Sequence, residues 1–338
     1  MTSVRARAWA LFDRIVATAS EDGYATPWHA RPDAPAQYMP DYGTLRRLLG
    51  VPLMLSANSQ SGVPALALDV WVAFELRRCG LEADAVWPRA QAPRVLPTEI
   101  QALLRARDLP GALRTELAAH VAAGRGVGSA SANILGKNYV KQVDVVVSAW
   151  NTGPELLIST KRMDSSFGKN AANRVEESYG DAKNLRLRYP QAALGFLYGL
   201  RATAFTLEPE KAEWLVDLLT KLGQEDDAYH AVGLIVPEWE AAPDADSADD
   251  GSADPLVAAG VQRAPVDAGE AADMRENDLD TQLSSLPAVQ LRFDHVPPEL
   301  DPARFFDVMV RRVLKSSPIT FHVEARQRLK AASADGER

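Results

Sequence analysis

An acid and an amine stand in two runs of residues that otherwise want only burial. In the stretch 142–162, QVDVVVSAWNTGPELLISTKR, Asp144 precedes three valines, and Ser159, Thr160 and Lys161 close a second apolar run. A lone carboxylate or ammonium among valines is costly to desolvate, so each needs a partner, a metal or water. Strand alternation puts Asp144, Val146 and Ser148 on one face and Glu155, Leu157, Ser159 and Lys161 on one face of the next strand. A hairpin then brings Asp144 and Lys161 to one surface, at the end away from the turn. The plain reading of that pair is an ion pair at a sheet margin. A helical pattern downstream offers another. Glu176 and Glu177 fall in GKNAANRVEESYGDAKNLRLRYP, where 170, 174, 177 and 181 form one polar stripe and 169, 173, 176 and 180 its neighbour. Two carboxylates, a lysine, the Ser159 hydroxyl and strand carbonyls suit a hard divalent cation such as Mg²⁺. Such a cation binds a phosphate and acidifies an attacking water, while the ammonium steadies the water or the developing charge.

The elements that must position these groups are legible from pattern. The N-terminus reads as an amphipathic helix, 22–45 as an irregular arm, and 67–80 as a helix with a glycine stop. Residues 98–123 read as two short helices broken at Pro110, followed by a glycine- and serine-rich loop over 124–138. After the hairpin come a helix over 168–188, a strand over 193–200, a helix over 210–222 and a strand over 231–239. The segment 241–285 is too polar to bury itself and reads as disordered. Strand VQLRFD and helix PARFFDVMVRRVLKSS resume the fold. The expectation is an α/β class with a mixed central sheet flanked by helices. It divides into an N-terminal helix and arm (1–66), a core with a helical insertion (67–240), an acidic disordered linker (241–285) and a C-terminal strand and helix packing on the core (286–338).

Composition narrows the function. The net charge of −8 resides in the acidic segment: residues 241–280 carry eleven acids against Arg263 and Arg275, and the remainder of the chain is at +1. Between 137 and 188 there are nine Lys and Arg against six acids, so the bulk charge does not exclude a polyanion. A single cysteine, Cys79, excludes an internal disulfide and a cysteine zinc cage, and the five histidines lack ligand spacing. There is no GxxxxGK[ST] loop, and no apolar run reaches the roughly 20 residues of a membrane span. A cytoplasmic protein with no membrane partner is expected. Trp71 and Trp214 sit on apolar helical faces and read as core, whereas Trp28 and Trp87 lie beside prolines and anchor an arm or meet a partner.

The VD…STK pattern across a hairpin resembles the active-site signature of the PD-(D/E)xK nuclease superfamily, with Val143 in place of the proline. Ser159 replaces the usual acid two residues before the lysine. That departure resembles a variant among type II restriction endonucleases, which carry SxK on the strand and recover the carboxylate from a glutamate of the next helix. The likeness covers residues 130–200, and NRVEE favours Glu177 over Glu176. It implies a restriction endonuclease-like core, Mg²⁺ held by Asp144 and Glu177 or Glu176, Lys161 assisting the nucleophile and Ser159 supporting. The superfamily also draws an acid from a helix upstream, a place that Glu75 fits, with a solvated helix position as the alternative. Asp164, past the strand end, reads as a turn residue.

DNA contacts are sought beside the hairpin. Lys137 and Asn138 end the glycine-rich loop, whose free N–H groups suit a phosphodiester, and Arg162, Lys169, Asn170, Asn173 and Arg174 follow the lysine. These residues either read DNA or coat an exposed helix start. The expected activity is Mg²⁺-dependent cleavage of double-stranded DNA at a short specific site, by a homodimer or higher homo-oligomer. The alternatives are a nonspecific or structure-specific nuclease of the same fold, and a DNA-binding module without catalysis.

Overall fold

The apolar runs around residues 146, 157, 196 and 233 become the middle of the fold. The structure, a computed structural model, describes residues 3–123, 127–165, 167–240 and 276–335. Five strands form a mixed sheet in the order β3 (Val86–Trp87), β6 (Val145–Ala149), β7 (Gly153–Met163), β8 (Ala193–Leu200) and β9 (Ala231–Ile235). The pairs β3–β6 and β6–β7 are antiparallel, whereas β7–β8 and β8–β9 are parallel. Parallel neighbours need crossovers, and α6 (Phe167–Arg186) and the α7 (Ala204–Leu207)–α8 (Pro209–Leu222) pair supply them. With helices on both faces, the central strands read as continuous apolar runs; all eight residues of β8 are buried.

Two cores cover the two faces. One packs Val145, Val147, Ile158 and Leu197 against α1 (Val4–Ala19), α3 (Val63–Arg78) and α10 (Pro302–Ser316). The other packs Val146, Leu157, Phe196 and Val232 against α6 and α8. Helix α2 (Tyr42–Met54) lies on α1 and α3. Gly80 ends the α3 segment at φ +87°, where a Cβ would lie 2.9 Å from Ala325 N, so the terminal helix α11 (Val323–Asp335) closes on a position only glycine fits. The expected α4 (Thr98–Arg105) and α5 (Gly111–Ala122) are both present. No helix among the described residues is long and apolar enough to cross a membrane.

Several expectations are corrected. The arm over 22–45 contains an antiparallel hairpin, β1 (Trp28–Arg31) and β2 (Ala34–Tyr38), and Trp28 is buried against Tyr38 with ring centroids 5.1 Å apart. The glycine- and serine-rich loop hides β4 (Ala132–Leu135), which pairs with β5 (Val140–Val143) as a separate two-stranded sheet. The acidic segment ends in a helix, α9 (Glu276–Ser284), because Leu279 and Leu283 are buried and Asp280 meets Arg14 at 2.7 Å; the rest of that segment, 241–275, lies outside the described residues. The strand after it shrinks to β11 (Gln290–Leu291), paired with β10 (Pro237–Glu238). Trp214 is 47% exposed and is not core, while Trp71 is fully buried as expected.

Candidate functional site

The site begins where a strand changes sheets. Residues 145–147 of β6 pair with β7, but Val143 pairs with Ala132 of β4 instead. Asp144 is the hinge between the two sheets, and β7 runs on to Met163 without β6 beside it. The hinge also breaks the simple alternation expected of this strand, placing Val143 in the same core as Val146. The Asp144 side chain takes over the missing ladder bond: its Oδ2 accepts the Thr160 backbone N–H at 2.8 Å.

A second carboxylate hangs on the same residue. The Thr160 hydroxyl donates to Asp69 Oδ1, an acid of α3 not singled out in the sequence. One threonine thus holds two half-buried carboxylates side by side, one through its amide and one through its hydroxyl. Burial, and then the charge of Asp144, push Asp69 well above the usual carboxylate range. Burial raises Asp144 as well, opposed by Lys161, the Thr160 N–H and Lys141. Lys161 is half-buried, its charge bears on both acids, and no hydrogen bond or ion pair holds it among the described residues. Asp144 and Lys161 are therefore brought together.

The other expected members are placed differently. Glu176 and Glu177 are both exposed, since α6 turns Val175, Ser178, Ala182 and Leu185 inward. Asp181, one turn beyond Glu177, is the α6 acid that faces in: it is 8% exposed and its charge raises Asp144. Asp181 accepts from the Tyr139 hydroxyl at 3.0 Å and pairs with Lys141 Nζ at 2.5 Å. Ser159 is buried with its hydroxyl at Tyr229, whose own hydroxyl donates to the Ser178 carbonyl at 2.8 Å. Burial raises the Tyr229 phenol, so it stays protonated. Glu75 is not at the site. It is fully buried one and a half turns along α3, bonded to Arg78, to the Tyr38 hydroxyl and to the Asp41 N–H.

Of the expected DNA contacts, Arg162 is corrected outright. It is 7% exposed, donates to the Pro64 carbonyl at 3.1 Å and to Asp164 at 2.8 Å, and lies 5.3 Å from the Trp239 ring. Asp164 lies at the bend after β7 and is the ion-pair partner of Arg162. Lys137 and Asn138 expose their side chains, but the N–H groups of Gly136, Lys137 and Asn138 are not free for a phosphate. Lys137 N and Asn138 N bond to the Asn184 backbone and side-chain oxygens, both at 2.8 Å. A Cβ at Gly136 would lie 2.1 Å from Asn184 Nδ2. Gly136→Ala is accordingly expected to destabilise the chain by roughly 1–3 kcal/mol through overpacking; a denaturation midpoint unchanged from wild type would show that Asn184 yields. The side chains of Lys169, Asn170, Asn173 and Arg174 lie outside the described residues.

Could this arrangement hold a metal? No group of three or more acid, histidine or cysteine side chains among the described residues is gathered closely enough to form a cage. Mg²⁺ does not need one, because it keeps several waters and binds through one or two carboxylates and a substrate phosphate. Two oxygen ligands that repel one another on Thr160 fit such an ion. A cavity of about 270 Å³ lies instead at the turn end of the hairpin, lined by Thr152, Glu155, Ser317 and Phe321. There Ser317 and His322 both bond to Glu155 rather than to each other, so they form no nucleophilic triad. Comparison with protein families, with curated proteins and with solved structures gives no match.

Proposed function

We propose that the chain is a metal-dependent nuclease with a restriction endonuclease-like core, which hydrolyses phosphodiester bonds of double-stranded DNA at a short specific site. The observation that carries this reading is the pair Asp69 and Asp144, both bonded to Thr160, with Lys161 on the next residue, whose ammonium no hydrogen bond or ion pair holds among the described residues. Mg²⁺, when bound, supplies a Lewis acid for the phosphate and a more acidic water. Asp144 and Asp69 would hold it. Thr160 fixes both carboxylates through donors that cannot drift, because they belong to one strand residue. Lys161 stabilises negative charge at the attacking water or the phosphoryl oxygens. Asp181, one turn beyond the Glu177 that the resemblance favours, is the α6 acid whose charge reaches Asp144, and Ser159 supports from its bond to Tyr229.

In this reading the DNA lies against α6, whose start carries Lys169, Asn170, Asn173 and Arg174 in sequence. Cutting both strands of a palindrome calls for two such sites and hence a homodimer or larger homo-oligomer. The test is incubation of the purified chain with plasmid and phage DNA, with Mg²⁺ and with chelator. Discrete fragments that disappear in Lys161→Ala support this reading. A smear points to a nonspecific nuclease of the same fold. DNA that is bound and left intact points to a binding module without catalysis.

A further inference from the structure

Trp150 stands 87% exposed at the tip of the β6–β7 hairpin. A large apolar ring costs most where water surrounds it, and tryptophan is a frequent anchor of protein interfaces. The tip itself is tied down, because the Trp150 backbone N–H donates to Glu99 Oε1 of α4 at 3.0 Å. Among the described residues nothing accepts the indole N–H.

The next residue, Asn151, lines the cavity of about 270 Å³ at this end of the hairpin. Pro154, Val313, Pro318 and Phe321 give it apolar walls, and Glu155 gives it a charged one. Burial pushes the Glu155 carboxyl up, but His322 at 2.8 Å and Ser317 and Thr152 at 2.9 Å outweigh burial and hold it below its usual value. Three donors leave about one of the four acceptor positions of a carboxylate open. The far wall is preformed: Arg326 donates to the carbonyls of Leu314 at 2.6 Å and of Ser317 and Phe321 at 2.9 Å, which fixes the turn between α10 and α11. Ile319 in that turn is 82% exposed. An apolar space of about 150 Å³ admits a benzene ring, so this cavity has room for an indole.

We propose that this face is an interface between two copies of the chain, in which Trp150 of each seats in the other's cavity and donates its N–H to Glu155 of the partner subunit. Knob and hole lie side by side, so a two-fold axis between them makes the contact reciprocal. A flat apolar body with one N–H matches apolar walls with one open acceptor, and Ile319 extends the apolar rim. Two seated indoles bury about 150–250 Å² each and cover a like area of wall. That is the low end of interface sizes and gives a reversible pairing. Pro154 and Thr160 are six residues apart on β7, about 20 Å. The pairing therefore joins copies back to back, away from the candidate site. It is additional to any contact that sets two sites across one duplex, and it does not depend on the nuclease reading.

The experiment is sedimentation of the full chain, without DNA or metal, over a wide range of concentration. Wild type is expected to associate reversibly, and Trp150→Ala to weaken that association at least about thirtyfold. Trp150→Phe keeps a ring but has no N–H, so it falls between the two. Ser316→Phe fills the mouth of the cavity from an exposed position and is expected to weaken pairing as much as Trp150→Ala. A mixture of these two variants discriminates best: one brings the open cavity and the other the indole, so the mixture pairs where neither does alone. Leu207→Ala removes an apolar side chain 68% exposed elsewhere and is expected to change nothing. Thermal melts check that each variant is folded. A wild type that stays monomeric at every concentration overturns the proposal. So does an association that neither Trp150→Ala nor Ser316→Phe weakens, or a mixture that pairs no better than its parts. Each of these results leaves the nuclease reading to be judged by cleavage in Mg²⁺.

Discussion

Asp144→Asn is expected to lose Mg²⁺-dependent cleavage by at least about 10²–10³-fold and at the same time to raise the melting temperature by a few degrees. The two effects have one origin. Asp144 and Asp69 both lean on Thr160, burial holds both above the usual carboxylate range, and the charge of Asp144 raises Asp69 further. An asparagine keeps an oxygen that accepts the Thr160 N–H and turns an amide N–H toward Asp69, so repulsion becomes a hydrogen bond. A stabilisation of about 1 kcal/mol follows. A pair of acids kept together against their own charges stores the strain that a cation relieves, and functional sites accumulate such strain.

The prediction also separates the nuclease from the plain ion-pair reading of Asp144 and Lys161. Were Asp144 only a plug for a strand end, removing its charge would cost the attraction of Lys161 and Lys141 and lower the melting temperature. A destabilised Asp144→Asn with unchanged DNA cleavage would end the case for this site. Lys161→Ala is the companion: it removes an amine that makes no hydrogen bond or ion pair among the described residues but whose charge offsets both acids, so cleavage falls and the melting temperature drops slightly rather than rising.

What could be read before the fold was known follows from the strength of each local signal. The unbroken apolar run of β8, the turn-separated runs of β6 and β7 and the long period of α6 have only one way to be buried, and they appear near their expected limits. The hinge acid and the lysine were legible for the same reason: each was anomalous in its run. Asp69 was not, because α3 buries residues all round; nearly every side chain from Val63 to Arg78 is covered. Asp69 and Glu75 differ by six residues, which puts them about 120° apart around a helix with 3.6 residues per turn, on different faces. Periodicity cannot say which side meets β7 when both sides are apolar.

The choice among Glu176, Glu177 and Asp181 failed for a related reason. Glu177 and Asp181 share a stripe one turn apart, and how far the helix advances past the hairpin depends on the connection after Met163, which has no periodic signal. Arg162 was misread because β7 was ended two positions early, at Lys161: with the strand running to Met163, alternation puts Arg162 on the buried face of Thr160. The β4 strand was lost because four residues amid glycine and serine carry too little pattern to stand out.

The misplaced Glu75 supports the second large expectation, one of stability rather than catalysis. Glu75→Ala is expected to destabilise the chain by about 3–5 kcal/mol, enough to lower the melting temperature by roughly 4–7 °C. The fully buried carboxylate ties α3 to two other elements at once. It receives Arg78 Nη1 at 2.7 and 3.0 Å, the Tyr38 hydroxyl from β2 at 2.9 Å and the Asp41 N–H before α2 at 2.7 Å. Alanine leaves a buried guanidinium, a phenol and an amide without their acceptor. The pH dependence has a definite sign. Burial pushes Glu75 up to about 7, against the pull of Arg78 and the other donors. Because the folded-state value lies above the unfolded one, the fold binds the proton more tightly. Stability linked to this group is complete below about pH 4.5 and lost as pH rises through 7. Glu75→Gln cannot titrate, so wild type should lose ground to it between pH 5 and 7.5 in urea melts, by up to about 3 kcal/mol. A difference that grows in favour of wild type over that interval would mean that the donors outweigh desolvation, and that this acid is ionised in the core at every pH where the protein is folded.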